Sequence, residues 1–164
     1  MSRPVVIDSD EFGRDEGSLQ GEVPVATLTR LHDLLTDTGG SLSFRIDGRR
    51  AAGERSQLLL AVDGVLSLLC QRCLEAYEYP LHLRSLLEFI GADDDLTQEE
   101  LEDDAKDFLP QQKALDVYVL IEDEILLALP TAPRHEECVL PGSRVESARV
   151  SPFSVLAGLQ GKVD

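Results

Sequence analysis

Between Leu42 and Ile90 alternating apolar residues and short apolar runs follow one another in strand-length segments, and this pattern constrains the fold more than any other feature of the chain. Leu42, Phe44 and Ile46 alternate with Ser43, Arg45 and Asp47 up to Gly48, the pattern of a half-buried strand. Two apolar runs follow, Gln57 to Val62 and Val65 to Leu69, separated by Asp63-Gly64. That dipeptide suits a tight hairpin turn, in which both central residues need positive φ, so a turn is predicted there. The second run leads directly into Cys70, and a further strand is predicted over Tyr77 to Ile90, alternating around Tyr79, Leu81 and Leu83. The result is an antiparallel meander with Cys70-Gln71-Arg72-Cys73 at one of its turns.

Two helical patterns flank this sheet. Leu28, Leu31 and Leu35 have helical spacing ahead of Gly39-Gly40, and Leu115, Tyr118, Val119, Glu122, Ile125, Leu126 and Leu129 fit a helix ending at Pro130. Glu122, Asp123 and Glu124 are expected on its outward side. The predicted fold class is α+β: an antiparallel β-meander or partly closed sheet packed by two main helices, with an acidic loop and an extended C-terminal tail. A single domain is assigned to residues 1–129, with the acidic loop at 92–110, and a Pro/Gly-containing tail to 130–164. Within the loop, Thr97 is a reasonable N-cap for a short exposed helix.

Composition narrows the function. No Trp and only 3 Tyr and 5 Phe leave few platforms on which bases could stack. The net charge is −16, and the stretch from Asp93 to Asp107 holds nine acids against Lys106 alone. Broad attraction to polyphosphate is thereby disfavoured, and a basic protein partner fits better. The apolar stretch from Ile125 to Leu129 is far shorter than the roughly 20 residues of a membrane span, and the start Met1-Ser2-Arg3-Pro4 does not read as a signal peptide. Three cysteines cannot all pair, so free or metal-bound thiols in a reducing cytoplasm are expected.

Cys70 and Cys73 can turn two sulfurs to one point, and His135 and Cys138 repeat the same spacing. Together they would make a Cys3His zinc site with a long separation between its halves. Reduced thiols at an ordinary turn, with a free His135 and no cofactor, are the simpler reading, and zinc is the alternative; a dithiol redox pair is less suited to a position between antiparallel strands. Glu122, Asp123 and Glu124 are candidates for a partner-binding surface, while Asp93-Asp94-Asp95 lacks the alternation and glycine of a calcium loop. Arg49, Arg50, Arg72 and Arg84 are candidates for contacts to RNA phosphates, although acids among them make surface ion pairs the simpler use. No P-loop, dinucleotide-binding, nucleophile-elbow or His-Glu-x-x-His motif is present, and no small-molecule substrate is indicated.

Three blocks carry a resemblance to a known family. They are Cys70-Gln71-Arg72-Cys73 after a strand; Val119 to Pro130 with its Glu122-Asp123-Glu124, followed by Pro133, His135 and Cys138; and the terminal Ser151-Pro152-Phe153-Ser154-Val155-Leu156-Ala157-Gly158-Leu159. In order and spacing the chain resembles the YceD family, the bacterial large ribosomal RNA subunit accumulation proteins. The resemblance implies a role in synthesis, processing or stability of 23S ribosomal RNA, with no catalytic residues to carry over. Some relatives resemble a zinc site more closely after the Leu-Pro helix, where this chain offers His135 and Cys138.

The function expected is therefore that of a noncatalytic, cytoplasmic ribosome-biogenesis factor. Its acidic surfaces, with Phe153 of the tail, would hold a basic ribosomal or rRNA-processing protein near the large-subunit rRNA precursor. A direct RNA-binding module using the sheet arginines and a zinc- or thiol-dependent protein centred on the cysteines are the alternatives.

Overall fold

A computed structural model describes residues 5–51, 55–92 and 94–138. Strand β1 (Val6–Ile7) leads into helix α1 (Ser9–Arg14), which the sequence reading did not identify. Asp8 caps α1 by accepting from the backbone N–H groups of Asp10 and Glu11. Strand β2 (Ser18–Pro24) follows, then two 3-10 segments, Val25–Thr27 and Thr29–Leu34, and strand β3 (Leu35–Asp37). Where a helix around residues 28–35 was expected, the chain winds more tightly. Leu28 and Leu31 are both buried, because a spacing of three places them on one side of a 3-10 turn as well, whereas Leu35 has left it to pair with Leu68.

Strands β4 (Ser41–Arg50), β5 (Ser56–Leu69) and β6 (Ala76–Ile90) form the centre of the sheet. Beyond them come helix α2 (Gln98–Leu101), strand β7 (Asp107–Pro110), strand β8 (Leu115–Asp116) and helix α3 (Val117–Ala128). The sheet order is β2-β4-β5-β6-β7, with β3 also on β5, and every pairing is antiparallel except β6 with β7. A separate short pair, β1 with β8, ties the N-terminal strand to the start of α3. The fold is α+β, and the sheet is not closed into a barrel. Among the described residues, no helix is long and apolar enough to cross a membrane.

The turn predicted at Asp63-Gly64 does not form. The strand β5 runs through it unbroken for 14 residues, with Asp63 opposite Ser43 on one side and His82 on the other. Its neighbours explain why. Asp63 accepts hydrogen bonds from His82 and Arg84 across the sheet, and a Cβ on Gly64 would lie 2.5 Å from Leu42 Cδ2. Gly64 is thus used for close packing inside a central strand, not for a left-handed turn. The true hairpin turn is residues 70–75, between β5 and β6, where Leu74 takes φ 62°.

One face of the sheet carries the core: Leu42, Phe44 and Ile46 of β4, Leu58, Leu60 and Val62 of β5, and Leu83, Leu87 and Phe89 of β6. Helix α3 joins this core through Leu120, Ile121 and Ile125, and Asp116 caps it from the N–H groups of Tyr118 and Val119.

Candidate functional site

The turn between β5 and β6 brings Cys70 and Cys73 to one end of the molecule. Its shape is local: Cys70 N–H donates to the carbonyl of Glu75, and Leu74 N–H donates to the carbonyl of Cys70. After α3 the chain returns to the same place. Gln71 N–H donates to the carbonyl of Pro133 at 2.8 Å, and the Tyr77 ring lies 5.4 Å from the His135 ring, centre to centre.

The four donor atoms of Cys70, Cys73, His135 and Cys138 consequently lie within 4.8 Å of one another. The Cys70 and Cys138 sulfurs are 3.8 Å apart, and Cys73 Sγ is 3.8 Å from His135 Nε2. Glu75 Oε2 stands 4.0 Å from Cys73 Sγ. No disulfide joins the three cysteines, since an S–S bond is about 2.05 Å long. Cys70 and Cys73 are buried, while His135 and Cys138 are half-buried.

The electrostatics favour a thiolate at Cys70. Burial alone would raise its thiol, but the backbone N–H groups of Cys73, Arg72 and His135 donate to its sulfur, bringing it to about 6. Cys138 goes the other way: burial and the adjacent Cys70 sulfur hold its thiol above the ordinary value. Chemically, the set offers three sulfurs and one imidazole at a single point. The structure thus brings together the two halves that the paired spacings offered as one alternative, where a free His135 was the simpler expectation.

The other candidate residues are placed differently. Glu122 and Glu124, expected on an exposed acidic surface, are both buried at 6% exposure. Helix α3 is covered on more than its sheet-facing side. Glu122 accepts from the Arg30 backbone N–H at 2.7 Å, and Glu124 is buried beside Ser85. Asp123 pairs with the Arg30 guanidinium. Val119 and Leu127 occupy the outward stripe with Asp123, because apolar residues surround this helix and the sequence pattern could not single out its covered side. Phe153 lies outside the described residues.

The four arginines are not gathered into one patch. Arg49 stands opposite Gln57, Arg84 opposite Ala61, and Arg72 in the turn beyond Leu69. Strand rise spreads Arg49 and Arg72 over roughly 40 Å. Arg84 pairs with Asp63, Arg49 donates to Gln57, and Arg50 donates to the Arg14 carbonyl.

A charged cluster that the sequence reading missed occupies the opposite end of β5 and β6. Glu88, only 2% exposed, accepts from Arg55 at 3.2 Å, Gln57 at 2.6 Å and Lys106 at 3.0 Å. Arg55 also pairs with Glu100, which closes a capping box on Thr97 at the start of α2. The segment expected to be a solvated loop is therefore fastened to the sheet, with Asp94, Asp95, Glu99, Glu102, Asp103, Asp104 and Asp107 exposed. The only sequence signal was Lys106, the single cation in an acidic run.

Comparison with known proteins fits this organisation. A family model described as "Large ribosomal RNA subunit accumulation protein YceD" matches residues 58–160, which include both halves of the cysteine–histidine cluster. A relative of that name from Haemophilus influenzae is 29% identical over 178 aligned residues, covering 97% of this chain and 97% of its own length. No solved structure matches the chain. With more than half of its length matched by the family model, the chain belongs to the YceD family of large ribosomal RNA subunit accumulation proteins.

Proposed function

We propose that this chain is a noncatalytic, cytoplasmic factor that supports accumulation of 23S ribosomal RNA by holding a basic ribosomal or rRNA-processing protein. The observation that carries this reading is the fastened acidic segment. Arg55 and Lys106 fix it to Glu88, leaving seven carboxylates exposed between residues 94 and 107 in a chain of net charge −16. Fixing charges on a scaffold aims them at a partner and speeds encounter with a surface of opposite sign. The acidic contact is therefore assigned to residues 94–107 in place of Glu122 and Glu124, whose carboxylates serve inside the fold.

Direct capture of rRNA is the weaker reading, because Arg84 is matched by Asp63, Arg45 by Asp47, and the candidate arginines are far apart along the sheet. Crosslinking and mass spectrometry in growing cells tests the proposal. Basic ribosomal or processing proteins should crosslink to residues 94–107. Crosslinks confined to rRNA, or protein crosslinks unaffected when Asp95, Glu99, Glu102, Asp103 and Asp104 are changed to their amides, would overturn it.

A further inference from the structure

We propose that Cys70, Cys73, His135 and Cys138 hold one zinc ion in a closed tetrahedral site that fastens residues 130–138 onto the turn between β5 and β6. The inference stands apart from the acidic contact surface. It rests on how all four donors converge. A tetrahedron with Zn–S bonds of about 2.3 Å has S···S edges of about 3.8 Å, and edges to a nitrogen ligand slightly shorter. The Cys70–Cys138 and Cys73–His135 separations are both 3.8 Å, and no donor pair exceeds 4.8 Å. A contraction of the longest edges by about 1 Å completes the polyhedron.

Simpler accounts use only part of this set. A disulfide would engage two sulfurs and leave a third sulfur and an imidazole converging for no purpose. A thiol–thiolate hydrogen bond would explain Cys70 with Cys138 but not His135. A metal ion uses all four, and soft sulfur donors with one imidazole select zinc over calcium or magnesium.

The surroundings match a structural site. Cys70 and Cys73 are buried at the turn, and His135 and Cys138 close over them half-buried, so the donors face one another rather than solvent. Four protein ligands leave no open position for water, which separates this site from a hydrolytic zinc centre. His135 would ligate through Nε2, which faces Cys73, leaving the ring proton on Nδ1; that atom is buried with no hydrogen-bond partner among the described residues. The ring is positioned by Tyr77, without the carboxylate or carbonyl that usually accepts from the other ring nitrogen of a zinc-bound histidine, so affinity should be lower than that of a fully supported site.

The structural consequence is large because the ligands are distant in sequence. Cys70 and Cys138 are 68 residues apart, and the segment from Thr131 to Cys138 contains no helix or strand to hold it in place. The Gln71–Pro133 hydrogen bond is exposed to competition from water without the metal. Zinc binding thus converts a single backbone bridge into a four-bond clip.

The test uses the full-length chain, purified under reducing conditions without a histidine tag. Elemental analysis should find one zinc per chain, and cobalt(II) replacement should give the visible spectrum of tetrahedral thiolate coordination. Cys138→Ser and His135→Ala lie outside the sheet and should keep its circular dichroism while each weakening zinc affinity at least about tenfold in chelator competition. Absence of zinc after equilibration with zinc chloride and reductant would overturn the proposal. So would wild-type affinity in both variants.

Discussion

The two ends of the β5–β6 hairpin hold distant segments by different chemistry. At the open end, Glu88 gathers Arg55, Gln57 and Lys106 and fastens the acidic segment. At the turn end, three sulfurs and an imidazole meet, and residues 130–138 come back to Cys70 and Cys73. The charged cluster is complete within the chain: each carboxylate oxygen of Glu88 has a donor. The sulfur cluster would be completed by the proposed zinc ion. Loss of one member should therefore be felt through the whole fold at the first end and locally at the second.

The largest effect is expected at the complete end. Glu88→Ala leaves Arg55 and Lys106 close together with their shared buried acceptor gone, and should lower stability in urea by about 3 kcal/mol. A loss below about 0.5 kcal/mol would show that the cluster does not hold the sheet. This contribution should also be sensitive to acid. Burial raises the Glu88 carboxyl, but donation from Gln57, Lys106 and Arg55 outweighs it, so its folded value lies below the ordinary 4.5. The stabilisation is full above pH 4.5 and is lost as pH falls through the lower folded value. The gap between wild type and Glu88→Ala should accordingly narrow under acid; a gap that is constant from pH 7 downward would contradict the assignment.

Glu124 provides a smaller and opposite effect. Its burial, with Asp107 and Asp123 nearby, outweighs the lowering effect of Ser85 and raises its carboxyl. Keeping it ionised at neutral pH costs stability, a cost relieved as pH falls below the raised folded value. Glu124→Gln should stabilise the chain by about 1 kcal/mol at pH 7, with less difference in acid. A loss of stability would mean that the ionised form makes contacts the amide cannot replace.

The smallest effect on stability belongs to the exposed acids. Changing Asp95, Glu99, Glu102, Asp103 and Asp104 to their amides should change the unfolding free energy in urea by no more than about 0.5 kcal/mol, while abolishing salt-sensitive capture of a basic partner. Retained capture would place the contact elsewhere.

Much of this organisation could be read from local spacing. The strands over 41–50 and 76–90 follow the two-residue period, α3 follows its helical spacing and Pro130, and the four metal-ligand candidates share two identical spacings. The misreadings have a common cause in partners distant along the chain. Asp63-Gly64 carries a strong turn signal, yet pairing with both β4 and β6, and the need to admit Leu42, keeps it in a strand. Glu122 and Glu124 look like solvent-facing acids, but Arg30 and Ser85 meet them inside the structure. The role of Glu88 depended on Arg55, Gln57 and Lys106, which no periodicity brings together.

Amide hydrogen exchange before and after treatment with a strong zinc chelator compares the two ends in one measurement. Chelation should increase exchange at Gln71 and across residues 131–138, leaving residues 94–107 and the central strands unchanged. Unchanged exchange at Gln71 and 131–138, in protein shown to have lost its metal, would contradict the account.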